Sequence, residues 1–456
     1  MTISIQLVIQ AFIAAFLGGA IYTVIGVIPG TDETATMAPI TLVLVLVGLH
    51  PVVLYSWVIG QIVAMQIAHT IPTSMAALPG STMAAPMVPY ASTAKRLGLP
   101  HIAMRKMAAG SLVGSFVSVP VAILVAMLLA PLGELIQPYI GLIFTIGAVV
   151  IALMSSAKWA AVVGLVPYAF LIQGVQRIAL EARGHTLFIS IFMGITIGPM
   201  IAELFSLLSP RIRKQRIINK KTEIWLAPQP KEKLSFYPNP LKILTKNQAV
   251  ESSIAALLGT LGFTMSPVGM TVLTGEAAAG RKNELYDRIM TTMAVQDSAS
   301  NATYIAGLII PLLAFGLPLS PIALGPVAPL FNAPPRFTLE PLNNLGNYLA
   351  VGDYLFYGFF AIILGSIIAY PLSVHKARAW TKKMFELISH EALIGGFLGL
   401  IFMLSFYEAG ILGIVIALSV GLIGGILDKM FDIHTGVQFM GFYASAFIVT
   451  TIMGLM

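Results

Sequence analysis

The chain has 456 residues, of which 57% are hydrophobic and only 10% are charged, with no cysteine and a mean hydropathy of +0.89. Soluble domains carry about 25% charged residues, so the composition predicts an integral membrane protein. Long apolar runs of about 20 residues favour spanning helices and exclude a β-barrel, whose strands alternate over about ten residues. The absence of cysteine excludes disulfides, thiolate nucleophiles and cysteine-ligated metals.

The formal charge of +7 reflects 26 Lys and Arg against 19 Asp and Glu. In a membrane protein such an excess marks cytoplasmic loops, so we expect a lipid bilayer and no nucleic acid as partner. The apolar stretch 4–28 lacks a basic segment before it and is longer than a signal-peptide core, which indicates a first membrane helix. The expected location is the cytoplasmic (inner) membrane, with many crossings.

The apolar segments are interrupted by Pro and Gly at several points, so their number need not equal the number of crossings. In chain order they fall at about 4–28, 38–57, 58–80, 108–130, 137–156, 157–175, 186–208, 249–275, 290–316, 320–331, 350–373, 385–405, 408–427 and 437–456.

Ten of the 26 basic residues lie in one polar, proline-containing stretch at 211–247. This stretch predicts a cytoplasmic linker between a first half, 1–210, and a second half, 248–456. Two further basic loops, at 95–106 and 376–383, are expected on the same side. Binding of anionic lipid headgroups would explain these charges equally well and gives the same orientation.

The two halves resemble each other in their interruptions. The segment 72–81 has Pro, Leu-Pro and Ser at the same spacing as 311–320, at an offset of 239 residues, and Pro29-Gly30 corresponds to Pro267-Val268-Gly269. Matched breaks in two halves point to the binding site of a secondary transporter. The loop 92–107 carries four basic residues and the loop 332–349 carries one, which predicts inverted topology for the repeats.

The first break, at Pro29 and Gly30, is expected to interrupt a helix, because Pro removes a donor and Gly permits positive φ. Unpaired backbone groups at membrane depth persist where they line a cavity or face a ligand. The N–H groups of the following helix, and those after the break at 266–275, suit an anionic substrate. Plain turns between helices are the alternative explanation.

Acidic residues fall at possible membrane depth at Asp32, Glu33, Asp297 and Glu408, where an ionisable group is a functional candidate by default. Asp297 opens a polar run, 297–303, that leads directly into an apolar helix. Such oxygen-rich clusters fit Na⁺, and a solvated helix cap is the alternative. His69 lies among small and polar neighbours and is interpreted as a hydrogen-bonded histidine between helices. With no metal-binding, phosphate-loop or nucleophile-elbow motif, we expect no metal site other than one for Na⁺, and no enzyme activity.

The chain resembles the large membrane subunit of the tripartite tricarboxylate transporters, the TctA family. The resemblance rests on the first break, the run 72–89, the basic loop 94–116, the polar cluster 297–303 and the segment 307–321 that follows it. It implies an all-α permease of about twelve transmembrane helices in two inverted repeats, with discontinuous helices or re-entrant hairpins. It also implies two partners: a small four-helix membrane subunit and an extracytoplasmic solute-binding protein.

The function implied is ion-driven import of small organic anions, such as citrate-like tricarboxylates, by alternating access, with Na⁺ or H⁺ as coupling ion and no cofactor. The substrate-binding candidates are Pro29, Gly30, Thr31, Thr73, Ser74, Gly80, Ser81, Gly269, Thr271 and Asn301. The ion-coupling candidates are Asp32, Glu33, Asp297, Ser298 and Ser300. Acids beside an anion site would repel a carboxylate unless they are protonated or hold a cation. An intramembrane enzyme acting on lipid through Asp32, Glu33 or Asp297, and a channel or scaffold, remain as alternatives.

Overall fold

The computed structural model describes residues 4–154, 157–184, 186–207, 209–211, 225–228, 234–332, 344–387 and 390–455. Within these ranges the regular structure is helical, apart from one β-bridge between Thr31 and Ser81. The helices of residues 1–210 are α1 (Ile5–Gly26), α2 (Glu33–Leu46), α3 (Pro51–Ala68), α4 (Thr70–Ala76), α5 (Val88–Arg96), α6 (Pro100–Leu129), α7 (Gly133–Ile136), α8 (Ile140–Met154), α9 (Trp159–Arg183) and α10 (Phe188–Leu207).

In the described part of the second half, ten more helices follow. They are α11 (Pro240–Ile243), α12 (Lys246–Leu261), α13 (Pro267–Ala279), α14 (Leu285–Ile310), α15 (Pro321–Leu324), α16 (Pro329–Asn332), α17 (Val351–Leu387), α18 (His390–Ala409), α19 (Ile411–Phe431) and α20 (Thr435–Leu455). A 3₁₀ helix covers Thr82–Met87, and α14 continues into a π-helical turn at Pro311–Phe315.

Eight helices in the described ranges are long and apolar enough to cross a membrane. They are Ile5–Gly26, Pro51–Ala76, Pro100–Leu132, Trp159–Arg183, Leu285–Phe315, Val351–Met384, Ile411–Phe431 and Thr435–Leu455. Four shorter apolar helices accompany them, Glu33–Leu46, Gly141–Leu153, Phe188–Ala202 and Leu398–Ala409. The expected all-α, multi-pass membrane architecture is therefore confirmed, while the figure of about twelve crossings stays a prediction.

The chain forms two compact units, each built from both halves of the sequence. One unit comprises Met1–Pro131 and Glu223–Ser389, and the other comprises Leu132–Thr222 and His390–Met456. The sequence-based division at 211–247 describes an internal repeat and stays a prediction. Residues 212–224 and 229–233 of that linker lie outside the described ranges.

Two helices form the centre of the first unit. All 18 residues of α3 are buried, as is every residue of α14 from Ile289 to Ile310. A helix that protein surrounds on all sides does not need an apolar face toward lipid, so it can carry polar side chains between its neighbours. The candidate site lies on these two helices.

The two central helices cross in opposite directions. His69, at the end of α3, contacts Asp297, and Gln66, one turn earlier, contacts Ser300, one turn later in α14. Residue numbers therefore fall along α3 in the direction in which they rise along α14. This antiparallel crossing brings a side chain from each half of the sequence to one point.

Each central helix also has a parallel neighbour. Along α6, Gly110 packs on Ala294 and Gly114 on Ser298, so α6 and α14 run in the same direction. Along α17, Gly365 packs on Gly60, and Ser373 donates a hydrogen bond to the carbonyl of Ile67, so α17 and α3 also run in the same direction. Small residues at these crossings let the backbones approach closely, as in other membrane helix pairs.

In the second unit, α10 packs along α19, and α20 packs along α8 and α9. The carboxylate of Glu408 accepts hydrogen bonds from the N–H groups of Ile189 and Ser190 at 2.8 and 2.7 Å, and from the Ser190 hydroxyl at 2.6 Å. An acid at the positive end of a helix is stabilising. The structure thus assigns this acid to the N-terminus of α10.

Candidate functional site

A buried array of three side chains lies where α3 and α14 cross. The Nε2 atom of His69 is 2.7 Å from Oδ1 of Asp297, and its Nδ1 atom is 2.9 Å from the hydroxyl of Ser81. The side chains of His69 and Asp297 are completely buried, and Ser81 is 1% exposed. The second carboxylate oxygen of Asp297, Oδ2, has no hydrogen-bond partner among the described residues.

The chain turns sharply after α4 to bring Ser81 back to His69. Ala77 ends α4 in the left-handed conformation, with φ of 57°. Gly80 follows, and a Cβ atom there would overlap the backbone of His69, so glycine alone fits. The Thr73 hydroxyl donates to the carbonyl of His69 at 2.7 Å and accepts from the N–H of Gly80 at 3.1 Å, which holds the turn against the helix.

The predicted first break pairs with this turn. Gly30 has φ of 74°, and its N–H donates to the carbonyl of Pro79 at 2.9 Å. Thr31 forms the β-bridge with Ser81, and its hydroxyl donates to the carbonyl of Ile28 at 2.7 Å. The structure therefore brings Pro29, Gly30, Thr31, Thr73, Gly80 and Ser81 into one region. Gly30 is exposed, while the array with Asp297 is buried behind it.

Two further predicted acids begin α2. Asp32 is the N-cap, and its carboxylate accepts from the N–H of Ala35 at 2.7 Å. Glu33 is 2% exposed, and its Oε2 atom accepts from the Thr82 hydroxyl at 2.6 Å. The first turn of this helix thus already binds a carboxylate of its own chain, where the sequence predicts a place for the substrate anion.

The polar cluster on α14 contacts three different helices. Ser298 donates to the carbonyl of Ser252 on α12 at 2.8 Å, and Ser300 donates to Gln66 on α3 at 3.1 Å. The amide nitrogen of Asn301 donates to the hydroxyls of Ser111 and Ser115 on α6, at 2.9 and 2.7 Å. These ion-coupling and substrate candidates therefore surround the array on the α14 side.

The second break lies at a separate place. After α12 ends at Leu261, the Ser266 hydroxyl caps α13 by accepting from the N–H of Gly269 at 3.0 Å, in an exposed turn. The Thr271 hydroxyl donates within its own helix, to Pro267. None of the hydrogen bonds described for Gly269 or Thr271 reaches the array. Ser74, similarly, donates to the sulfur of Met107.

The sequence identifies Asp297 as a candidate but not its partner. The interpretation of His69 as a hydrogen-bonded histidine between helices is confirmed, and its role in the array is new. The sequence analysis also did not identify Gln66, Ser111 or Ser115 as neighbours of the polar cluster on α14. A usable signal existed, because His69 is the one His or charged residue of the apolar segment 58–80, and Asp297 is the one such residue of the apolar segment 290–316.

A cavity of about 720 Å³ lies beside the end of α4 and is lined in part by Lys95 and Arg96. Its volume is in the range of ligand pockets, about 300–1,000 Å³. The ammonium group of Lys95 donates to the carbonyl of Ala76 at 3.3 Å, and burial lowers the pKa of this lysine. The cavity therefore offers two cationic side chains close to the central helix pair.

The array has two possible chemical uses. A Ser–His–Asp arrangement can activate the serine as a nucleophile, and a buried imidazole–carboxylate pair can bind and release a proton. A nucleophile needs access for its substrate and donors for an oxyanion. Ser81 is almost fully buried, and its backbone is held by the bridge to Thr31. The geometry therefore favours proton or ion binding over acyl transfer.

Comparison with known proteins gives one positive result. The profile of the tripartite tricarboxylate transporter TctA family matches residues 12–435, which includes the central helices, both breaks and most of the second unit. No curated protein sequence and no solved structure matches the chain. Because the family profile covers nearly the whole length, the chain belongs to the TctA family and is a membrane component of a tripartite tricarboxylate transporter.

Proposed function

We propose that this chain is the permease of an ion-coupled secondary transporter that imports small organic anions across the cytoplasmic membrane by alternating access. The observation that carries this proposal is the buried contact between His69 and Asp297. Ionisable groups inside a membrane protein are costly and mark ion or substrate pathways. This contact joins the two halves of the chain at the centre of a unit.

The proposed inverted repeat would support alternating access. Corresponding helices of the two halves, α3 and α14, cross antiparallel, and their parallel neighbours are α17 and α6, each from the other half. Such an exchange of neighbours is what a twofold axis in the membrane plane produces. Two inverted copies can exchange conformations, so the same site opens to either side of the membrane in turn.

The loop at Gly30, which is exposed, and the buried Thr31 beside it are the proposed place of the substrate, next to Thr73, Gly80 and Ser81. Substrate and ion are expected to bind together, because Asp32, Glu33 and Asp297 would otherwise repel a carboxylate. The ion-coupling groups are these three acids with Ser298 and Ser300. The cavity at Lys95 and Arg96 favours an anion as the transported species, since cationic walls attract it.

A tripartite system implies partners in addition to the bilayer. We propose a small four-helix membrane subunit, which would bind lipid-facing apolar surface of this chain, and an extracytoplasmic solute-binding protein, which would deliver the anion. The many exposed large hydrophobic side chains of α1, α9 and α17 suit contact with lipid or with such a subunit.

The test is uptake of radiolabelled citrate into proteoliposomes that contain the chain with its partner proteins, driven by combined inward Na⁺ and H⁺ gradients. Wild type is expected to accumulate citrate above the external concentration, and collapse of both gradients is expected to abolish this. The Asp297→Asn variant is expected to lose accumulation, while Asp432→Asn, at an exposed position, is the matched control and keeps it. Equilibration without accumulation would indicate a channel instead.

A further inference from the structure

We propose that the coupling ion is a proton and that it binds to the Asp297 carboxylate, at the oxygen that faces away from His69. This inference rests on the proposed function and adds to it the identity of the ion and the atom that binds it. The proton is carried on a carboxylate whose other oxygen is fixed by the imidazole. Ser81 then orients that imidazole from its opposite side.

The hydrogen bonds leave one atom for the proton. With a neutral imidazole, Nε2–H donates to Oδ1 of Asp297, and Nδ1 accepts from the hydroxyl of Ser81. Both ring nitrogens and the hydroxyl are then satisfied. Oδ2 of Asp297 is the remaining polar atom of the array, fully buried and without a partner among the described residues. A proton can bind there without breaking any bond that the array makes.

The charge of the array changes from −1 to zero when this proton binds, since the imidazole stays neutral. An isolated buried charge is strongly disfavoured, so a negative array without a cation has a strong affinity for a proton. In the described ranges the buried residues of ionisable type, apart from tyrosines, are Glu33, His69, His101, Arg105 and Asp297.

Several ionisable groups on the surrounding helices have described partners outside the array. Glu33 on α2 binds Thr82, and His101 on α6 is 3.2 Å from the carbonyl of Ala227. Tyr22 on α1 donates to the carbonyl of Thr36, and Lys95 on α5 donates to the carbonyl of Ala76. Glu251 on α12 accepts from Lys282, and Glu276 on α13 accepts from Tyr90. Further groups of ionisable type on these helices include Arg105 and Lys106 on α6, Tyr304 on α14 and Tyr370 on α17. None of the bonds described for them reaches His69 or Asp297.

A sodium ion fits this atom less well. Na⁺ prefers a shell of several oxygen ligands, whereas an N–H donor at 2.7 Å already binds Oδ1 of Asp297. Oδ2 is the carboxylate oxygen without a hydrogen bond, and a proton needs only that one atom whereas Na⁺ needs several ligands. Chains of acid and histidine side chains, by contrast, are typical of proton pathways in transporters.

The array is linked to the proposed substrate region through Ser81. This residue contacts His69 with its side chain and forms the bridge to Thr31 with its backbone. Neutralising the array removes one negative charge behind the exposed loop at Gly30. Proton binding thus favours binding of an organic anion, and the two move together as a symport requires.

The experiment is infrared difference spectroscopy of the full chain in lipid, with the pH changed in sodium-free potassium buffer. Wild type is expected to show the carbonyl stretch of a protonated carboxyl group that Asp297→Asn lacks and Asp432→Asn keeps. The His69→Gln variant is expected to shift the pH at which this band appears by about one unit, because the hydrogen bond and partial charge at Oδ1 change. Asp297→Glu is expected to keep a carboxyl band at an altered frequency.

Three results would overturn the proposal. The first is a band that persists unchanged in Asp297→Asn, and the second is the absence of any carboxyl band in wild type. The third is loss of the band when Na⁺ is added at constant pH, which would assign the site to sodium. Failure of citrate accumulation with the band intact would contradict the proposed function and leave proton binding by Asp297 established. Both measurements together separate the two claims.

Discussion

Ala77 and Gly316, which lie 239 positions apart, each end the span that contains a central helix, Pro51–Ala76 and Leu285–Phe315, in the left-handed conformation, with φ of 57° and 62°. The serines four residues further on, Ser81 and Ser320, both return to the helix that precedes them. Ser81 contacts His69, and Ser320 donates to the carbonyl of Gly307 at 2.5 Å. In both halves a left-handed residue therefore ends the helical segment, and a serine four residues later bonds back to it, to a side chain in the first half and to a backbone carbonyl in the second.

A first prediction concerns the sidedness of the repeats. Leu97, in the turn before α6, and Val351, at the start of α17, are 48% and 39% exposed. Because α6 runs parallel to α14 and α17 runs parallel to α3, these two starts should lie on opposite sides of the membrane. Single cysteines at the two positions should therefore react with an impermeant maleimide from opposite sides, Leu97→Cys from the cytoplasm.

Native residues will not react with the maleimide in this experiment, because the chain contains no cysteine. Permeabilised membranes serve as the control in which both variants should react. Labelling of both variants from the same side of sealed membranes would contradict inverted topology.

The sequence predicts those parts of the architecture that depend on the distribution of apolar residues along the chain. The spans, the break at Gly30 and the matched turns after the central helices follow from hydropathy and from the positions of Pro and Gly. The alternative of a solvated helix cap at Asp297 is wrong, however, because this residue lies completely buried within α14. The helix begins at Leu285, and its polar residues are possible because the surrounding helices, not lipid, contact them.

The site could be predicted in part. The acids and the small polar residues near the first break are visible in the sequence. Their contacts are not, because they depend on where α3 and α14 cross, and no local spacing encodes a contact between positions 69 and 297. The placement of Glu408 at the start of α10 is a similar case, since its partners are more than 200 residues away.

A second prediction tests close packing around the central helix. A Cβ atom at Gly114 would overlap the backbone carbonyl of Ser298, so Gly114→Ala should separate α6 from α14 and destabilise the protein by about 1–3 kcal/mol. The matched control is Gly174 on α9, where a Cβ atom meets nothing within 4 Å. Gly174→Ala should be neutral or stabilising by up to about 1 kcal/mol, because alanine favours helix.

Thermal unfolding in detergent, followed by tryptophan fluorescence, measures both variants. Equal stability of the two would contradict the close approach at Gly114. Loss of stability in Gly174→Ala alone would reverse the expected order.

A third prediction concerns the cavity at Lys95 and Arg96. Replacing both by glutamine should raise the KM for citrate applied from the cytoplasmic side by about two- to fivefold, since partly exposed charges contribute roughly 0.5–1 kcal/mol. Lys382→Gln with Lys383→Gln, at exposed positions of α17, is the control that should leave KM unchanged. Citrate exchange by inside-out vesicles provides the measurement, and an unchanged KM in the first variant would exclude the cavity from the pathway.

The same cavity predicts a pH dependence. Burial lowers the pKa of Lys95, so this lysine loses its charge at a lower pH than an exposed lysine would. The positive charge is fully present below that pKa and is lost as the pH rises through it. Lys95→Arg should therefore hold citrate affinity into more alkaline solution than wild type. Identical alkaline profiles for the two proteins would show that Lys95 does not contribute.

The last prediction separates transport from enzyme activity at the array. The Ser81 hydroxyl is buried, and a serine hydrolase needs this atom to be reachable by its substrate. A fluorophosphonate probe should therefore leave the protein unlabelled across the pH range in which citrate is transported. Labelling that Ser81→Ala removes and Ser92→Ala retains would contradict this and establish a reactive serine. Ser81→Ala should instead weaken proton-coupled accumulation while leaving Asp297 in contact with His69, because the imidazole loses the hydroxyl that orients it through Nδ1 but keeps the carboxylate bonded to Nε2.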